Sequence, residues 1–239
     1  SNATRVEAGS GPEAYAALFE GFIRSWRTIF GKPALPFVWC QLASLGAKAA
    51  DANEGTTDAW VALRAAQQRT LALPQTGQVI LVDAGEQGDI HPRDKRTPGR
   101  RLADWALNRV YGRAEVPCRG PYRTGVAFAD GKATVAIRIW SWAGAGGIGD
   151  ADLGETYVIR SKSNTRGKVK RNSPAAEVEG FALAGADGVW RWADAATIRG
   201  ETVEVSAKSV PQPVAVRYGW SSFPETFDLT NDSGMPAAP

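Results

Sequence analysis

From Tyr15 the apolar positions Leu18, Phe19, Phe22, Ile23, Trp26 and Phe30 recur at helical spacing, while Glu20, Arg24 and Arg27 fall off the stripe. Gly31 and Pro33 end that helix. Pro36 to Ala43 (PFVWCQLA) is a short, almost continuous apolar run, the pattern of a buried parallel strand. Ser44 to Thr57 is polar and rich in Gly and Ala, and reads as a loop. A second helix starts at Thr57 or Asp58 and carries Trp60, Leu63 and Leu71 before Pro74. Gln78 to Asp83 (QVILVD) predicts a second buried strand, followed by the loop Ala84–Pro92. A third helix has Thr97 at its N-cap and Pro98 at its first helical position. Leu102, Trp105, Ala106 and Val110 share one face, and Gly112 stops it. Helix, strand, helix, strand, helix with short links predicts an α/β layer fold. Two parallel strands are too few to cover three helices, so the pattern also predicts strands outside this sequence.

After Gly120 the pattern changes. Short β-rich stretches at 125–128, 133–140, 156–159, 179–184, 189–193, 202–205 and 214–220 are separated by Gly, Asp or Pro turns, among them Ala-Asp-Gly at 129–131 and 186–188. They predict an antiparallel β module built as a small sandwich. The boundary falls near 113–121, which gives an α/β part over residues 4–115 and a β-rich part over 116–239.

Composition narrows the chemistry. The 239 residues suffice for about one or two domains, and 44% hydrophobic with 22% charged residues excludes a disordered chain. No run of roughly 18 apolar residues is present to span a membrane. A net charge of +3 is too small to argue for nucleic acid. One histidine and two cysteines cannot build a Cys/His zinc site or a disulfide framework; Cys40 and Cys118 allow one bridge at most. The only methionine is Met235, so the sequence reads as a mature or partial chain. Ser1-Asn2-Ala3 reads either as the scar of a cleaved tag or as the end of an upstream block. Any histidine chemistry must use His91.

Asp89-Ile90-His91-Pro92 lies just beyond the second predicted strand, where open α/β sheets place their ligands. A carboxylate near a histidine can hold the ring tautomer while the ring takes a proton from a serine hydroxyl. The same residues also fit a plain turn in which Asp89 caps a backbone amide. No Gly-x-Ser-x-Gly elbow accompanies them. Ser10, Ser141, Ser221 and Ser222 are the weak nucleophile candidates.

The run DAGEQGDIHPRDK over 83–95, followed by GRRLA over 99–103, resembles the carboxy-terminal catalytic block of the sialate O-acetylesterase family, SGNH-type carbohydrate esterases. YAALF at 15–19, LPF at 35–37, QLA at 41–43, WVALRAAQ at 60–67 and LPQTG at 73–77 agree with it in order. So do GPY at 120–122, EGF at 179–181, AGADG at 184–188 and PVAVRYGW at 213–220. The sequence departs from the family in lacking the upstream Gly-Gln-Ser-Asn block with its serine, and in carrying Asp94 where the family has Asn. The resemblance implies a partial flavodoxin-like (SGNH hydrolase) layer followed by a β-sandwich, with His91 as general base and Asp89 orienting it. It implies acetyl-ester hydrolysis on a carbohydrate, sialic acid or a plant polysaccharide, by a Ser-His-Asp mechanism without metal or organic cofactor. The serine would come from an upstream segment, and the family leans towards a secreted or periplasmic location. The alternative is a non-catalytic fragment that binds glycan or a partner.

Two basic runs stand out. Arg93, Lys95, Arg96, Arg100 and Arg101 follow the histidine, and Arg160 to Arg171 holds six cations without an acid. Both are expected to be solvated, on a helix face and in a loop, with attraction for an acidic sugar as the other reading. Trp26, Trp60 and Trp105 are expected in the core. Trp140, Trp142, Trp190, Trp192 and Trp220 lie along strands, with core packing favoured over sugar stacking.

Overall fold

The computed structural model describes residues 11–47, 49–138, 156–160, 166–170, 176–224, 229–231 and 233–239, with the backbone alone given over 156–160, over 166–170 and at 176. Helix α1 (Pro12–Ile29) begins on a proline at its first turn, where a missing N–H costs nothing. Strand β1 (Phe37–Cys40) pairs in parallel with β2 (Thr76–Val79), Trp39 opposite Gln78. Between them runs α2 (Ala59–Arg69), whose N-cap Asp58 accepts a hydrogen bond from the Trp60 amide at 2.8 Å. Helix α3 (Arg96–Arg109) follows β2.

Alternation along the two strands sorts the helices to opposite faces. Phe37 and Trp39 meet Phe22 and Phe19 of α1 edge to face, at 6.3 and 5.0 Å between ring centroids. Val38 and Cys40 point the other way and pack with Val79, Leu81, Ala84 and Leu102 of α3. At Gly77 a Cβ would lie 1.9 Å from Trp105 Nε1, so only glycine lets α3 lie this close to the sheet. Trp105 is buried as expected, Trp60 is half-buried, and Trp26 is 39% exposed, against the expectation of a core position. The reason is that α1 buries Ile23 and Arg27 and touches the sheet with Phe19 and Phe22, while Leu18, Trp26 and Ile29 lie outside the packed seam.

Two predicted boundaries shift. The second strand pairs over Thr76–Val79 rather than 78–83, because Phe37 sits opposite Thr76 and the ladder ends with β1; Leu81 and Val82 stay buried beyond it. Helix α3 starts before Thr97, because the Asp94 carboxylate accepts the Thr97 amide at 2.9 Å and takes over the capping role.

The β-rich part contains β3 (Tyr122–Ala129), β4 (Lys132–Arg138), β5 (Thr156–Arg160), β6 (Arg166–Lys170), β7 (Ala176–Glu177) and β8 (Phe181–Ala184). It continues with β9 (Trp190–Trp192), β10 (Ala195–Arg199), β11 (Thr202–Ser206), β12 (Ala215–Tyr218) and β13 (Leu229–Thr230). Every pairing is antiparallel, in sheets ordered β3-β4-β11-β10-β7, β12-β8-β9 and β13-β5-β6. The β3–β4 hairpin turns on Asp130 and Gly131 at φ 50° and 73°, the left-handed pair that matches strand twist. Buried side chains of β4, β8, β10, β11 and β12 form one cluster around Leu183, Val203 and Val205. Strand β10 and the strand β6 inside the second basic run replace predicted loops. Trp192 is 41% exposed, and Trp140 and Trp142 lie outside the described residues.

Polar anchors join the two parts. Arg64, buried in α2, donates to the carbonyls of Leu42, Ala43, Ser221 and Ser222 at 2.8 to 2.9 Å. Asn53 exchanges two hydrogen bonds with the backbone of Trp190, and Trp220 Nε1 donates to Gly55 O at 2.9 Å. The segment around Pro236 returns against Gly120, where a Cβ would come within 2.2 Å of Pro236 O.

Candidate active-site loop

The loop over 84–95 leaves the carboxyl end of β2 and is fixed at both ends. At its root Asp83 receives two hydrogen bonds of 2.7 Å from Arg101, which also donates to Ile80 O at 2.5 Å. Arg101 is thus a buried anchor between α3 and the strand end, against the expectation of a solvated helix face. The reason is the unpaired carboxylate at the end of β2, which a buried guanidinium neutralises in two-pronged geometry. Gly85 passes so close to Ser44 that a Cβ would lie 2.0 Å from its carbonyl oxygen. Ser44 Oγ donates to Val82 O at 2.6 Å, and the Gly46 amide donates to Gln87 O at 2.9 Å. Two loops at the same end of the parallel pair are therefore stitched together.

Within the loop Glu86 accepts from the Arg93 amide at 2.6 Å and from Arg93 Nε at 3.1 Å. The hydrogen bonds from Arg93 hold the Glu86 carboxyl below the usual glutamate range. Asp94, bonded by Thr97, is held below its usual range too. Between these two clamps stand Asp89 and His91. Asp89 Oδ1 accepts from the His91 amide at 2.8 Å and lies 3.8 Å from His91 Nδ1. The first is a hydrogen bond that shapes the turn; the second is a contact longer than a hydrogen bond. The His91 side chain is 85% exposed and the Asp89 side chain 55%.

The structure therefore brings His91 and Asp89 together on a braced loop and leaves the ring open to solvent. Among the described residues no hydroxyl is hydrogen-bonded to that ring. Ser221 is buried, with its Oγ accepting from the Phe223 amide at 3.3 Å. Ser222 lies near Gly46, 3.8 Å from where a Cβ there would stand. Ser10 and Ser141 lie outside the described residues. Among the described residues no group of three or more His, Cys, Asp or Glu is placed to hold a metal ion, and no helix is long and apolar enough to cross a membrane. Cys40 and Cys118 are both free thiols. The bracing by Arg101, Gly85 and Glu86 escaped the sequence reading. Its one local signal was the acid–base spacing of Glu86 and Arg93 about the DIHP turn.

No family model matches the chain, and no curated protein matches it. It is similar to a solved structure, a novel carbohydrate acetylesterase from Xanthomonas citri. The two share 35% sequence identity and superpose with a TM-score of 0.76 over 100% of this chain and 47% of that one. The chain thus spans about half the length of the solved structure it matches.

Proposed function

We propose that this chain is the carboxy-terminal part of a serine carbohydrate O-acetylesterase of the SGNH type, an incomplete flavodoxin-like layer followed by a β-sandwich. The observation that carries the reading is its similarity, along its whole length, to a carbohydrate acetylesterase, joined to a braced Asp-His loop at the carboxyl end of a parallel strand pair. That end of an α/β sheet is where such folds place their chemistry.

In this reading His91 takes the proton of a serine hydroxyl supplied by an upstream segment. The serine oxygen attacks the acetyl carbonyl carbon, and the proton passes from His91 to the departing sugar oxygen. Water, activated in turn by His91, then releases acetate and restores the serine. Asp89 orients the ring and stabilises the imidazolium. Its 3.8 Å separation from Nδ1 closes to a hydrogen bond with a small rotation of either side chain, and such contacts tighten once a substrate is bound. The exposure of His91 supports this reading, since a base must reach a nucleophile and a sugar outside its own loop. The substrate is an acetylated sugar, with sialic acid and plant polysaccharide as the two candidates.

The test is acetate release from O-acetylated sialic acid and from acetylated xylan by the protein extended upstream to include the serine. His91→Ala should lower kcat/KM by about 10⁴-fold, leaving only what binding and electrostatics supply. Full activity in that variant would remove His91 from the mechanism. Glycan binding without hydrolysis in the extended protein would favour a non-catalytic binding module instead.

A further inference from the structure

A cavity of about 680 Å³ opens between α2 and β2 on one side and the β module on the other. Its volume falls within the roughly 300–1,000 Å³ of small-molecule sites, which favour boundaries between structural units. No residue of the 84–95 loop lines it. Its described lining contains four arginines and no Asp or Glu side chain. One, Arg69, is paired with Glu13 at 2.9 Å. Arg217 is held by the Thr56 hydroxyl and the Ala52 carbonyl and stacks on Trp190, which leaves its charge without a described carboxylate partner.

Arg119 and Arg123 differ in having no hydrogen-bond partner for the guanidinium: both are exposed, and neither makes a guanidinium hydrogen bond among the described residues. The Arg119 guanidinium lies 3.7 Å above the centre of the Tyr122 ring. Stacking occupies the face of the group and leaves its N–H donors directed outward around the edge, ready for a carboxylate. Gln78 also contributes to the wall. Its carbonyl oxygen accepts from Trp39 Nε1 at 2.8 Å, while its Nε2 is buried with no hydrogen-bond partner among the described residues. The remaining wall is largely apolar and aromatic, with Tyr122, Phe181 and Trp220 among the rings.

We infer that this cavity binds a carboxylate-bearing saccharide, with Arg119 and Arg123 taking the carboxylate and the aromatic wall taking the apolar faces of the sugar rings. Guanidinium groups recognise planar carboxylates in two-pronged fashion, and no Asp or Glu side chain in the described lining competes for these two. A neutral sugar would meet the rings and leave the cations unpaired. The inference does not depend on the His91 chemistry.

Calorimetric titration of the chain with digalacturonate and with galactobiose tests it, since the two disaccharides differ mainly by their carboxylates. Digalacturonate should bind at least tenfold more tightly, and more weakly as salt rises. Arg119→Gln and Arg123→Gln, both at exposed positions, should each weaken it about tenfold without changing the thermal unfolding of the protein. His91→Ala should leave the titration unaltered, which separates this site from the esterase reading. Equal binding of the two sugars would overturn the inference, as would no binding by the folded chain. Benzoate binding as tightly as digalacturonate would overturn the saccharide assignment, and so would titrations insensitive to both arginine variants or abolished by His91→Ala.

Discussion

The two parts of the chain are held together by different forces. The β module gathers buried side chains from β4, β8, β10, β11, β12 and β13 into one cluster, with Leu183, Val203 and Val205 fully removed from solvent. The α/β part has a smaller cluster around Val79, Leu81 and Ala84, buries Ile23, Val61, Leu63 and Ala66 besides, and leaves Leu18 and Ile29 of α1 71% and 74% exposed. To that burial it adds buried cations that collect backbone carbonyls, Arg64 and Arg101 above all. Burial of apolar surface is non-directional and tolerant, whereas a guanidinium with several carbonyl partners specifies one geometry and is costly to interrupt. The loop that carries His91 belongs to the second kind of region.

The largest expected effect comes from breaking that polar frame. Arg64→Met removes the donor of four hydrogen bonds and leaves the carbonyls of Leu42, Ala43, Ser221 and Ser222 without it. A loss of about 3–5 kcal/mol is expected, because several buried or half-buried carbonyls lose their donor at once and each unsatisfied group costs about 1–3 kcal/mol. Hydrogen exchange should show the α/β part opening before the β module does. Uniform opening of both parts would mean that they form one cooperative unit and that the contrast is only one of appearance.

A smaller effect sharpens the comparison from the other side. Leu183→Ala in the module core should cost about 2–5 kcal/mol in urea unfolding, because its site is closed on all sides. Leu18→Ala on the exposed stripe of α1 should change stability by less than about 0.5 kcal/mol. Equal costs would show that the α1 stripe is covered in solution.

Which elements could be read from the sequence follows the same division. The three helices, both parallel strands and most β-module strands announce themselves through apolar periodicity, since burial is what that periodicity encodes. The DIHP loop was legible because its residues are neighbours in sequence. Arg101 was misplaced on a solvated face because its partners, Asp83 and the Ile80 carbonyl, lie some twenty residues away and carry no periodic mark. Arg64 escaped for the same reason, its acceptors being backbone groups that every residue carries. Strand β10 was missed because only Ala196 and Ile198 mark its inner face. The arginines of the interdomain cavity come from segments that only the folded chain brings together.

The gentlest test concerns the clamp on the loop that carries His91 and can be set by pH alone. Hydrogen bonds from Arg93 hold the folded Glu86 carboxyl below its unfolded value. A carboxyl depressed on folding contributes order above the unfolded glutamate value of about 4.3, and loses it as pH falls through the lower folded value. The Arg93 amide, which donates to Glu86 Oε1 at 2.6 Å, is the natural reporter. Its nitrogen resonance should shift in acid at a pH below that glutamate value, while amides of the β-module core stay unmoved. In Glu86→Gln the shift should vanish and the His91 ring signals, unambiguous in a chain with one histidine, should broaden at neutral pH. Stability should change little, because Arg93 stands in solvent, which screens the pair. A resonance that follows an ordinary glutamate titration would mean that Arg93 does not clamp the loop, and that the backbone stitches to Ser44 and Gly46 hold His91 in place by themselves.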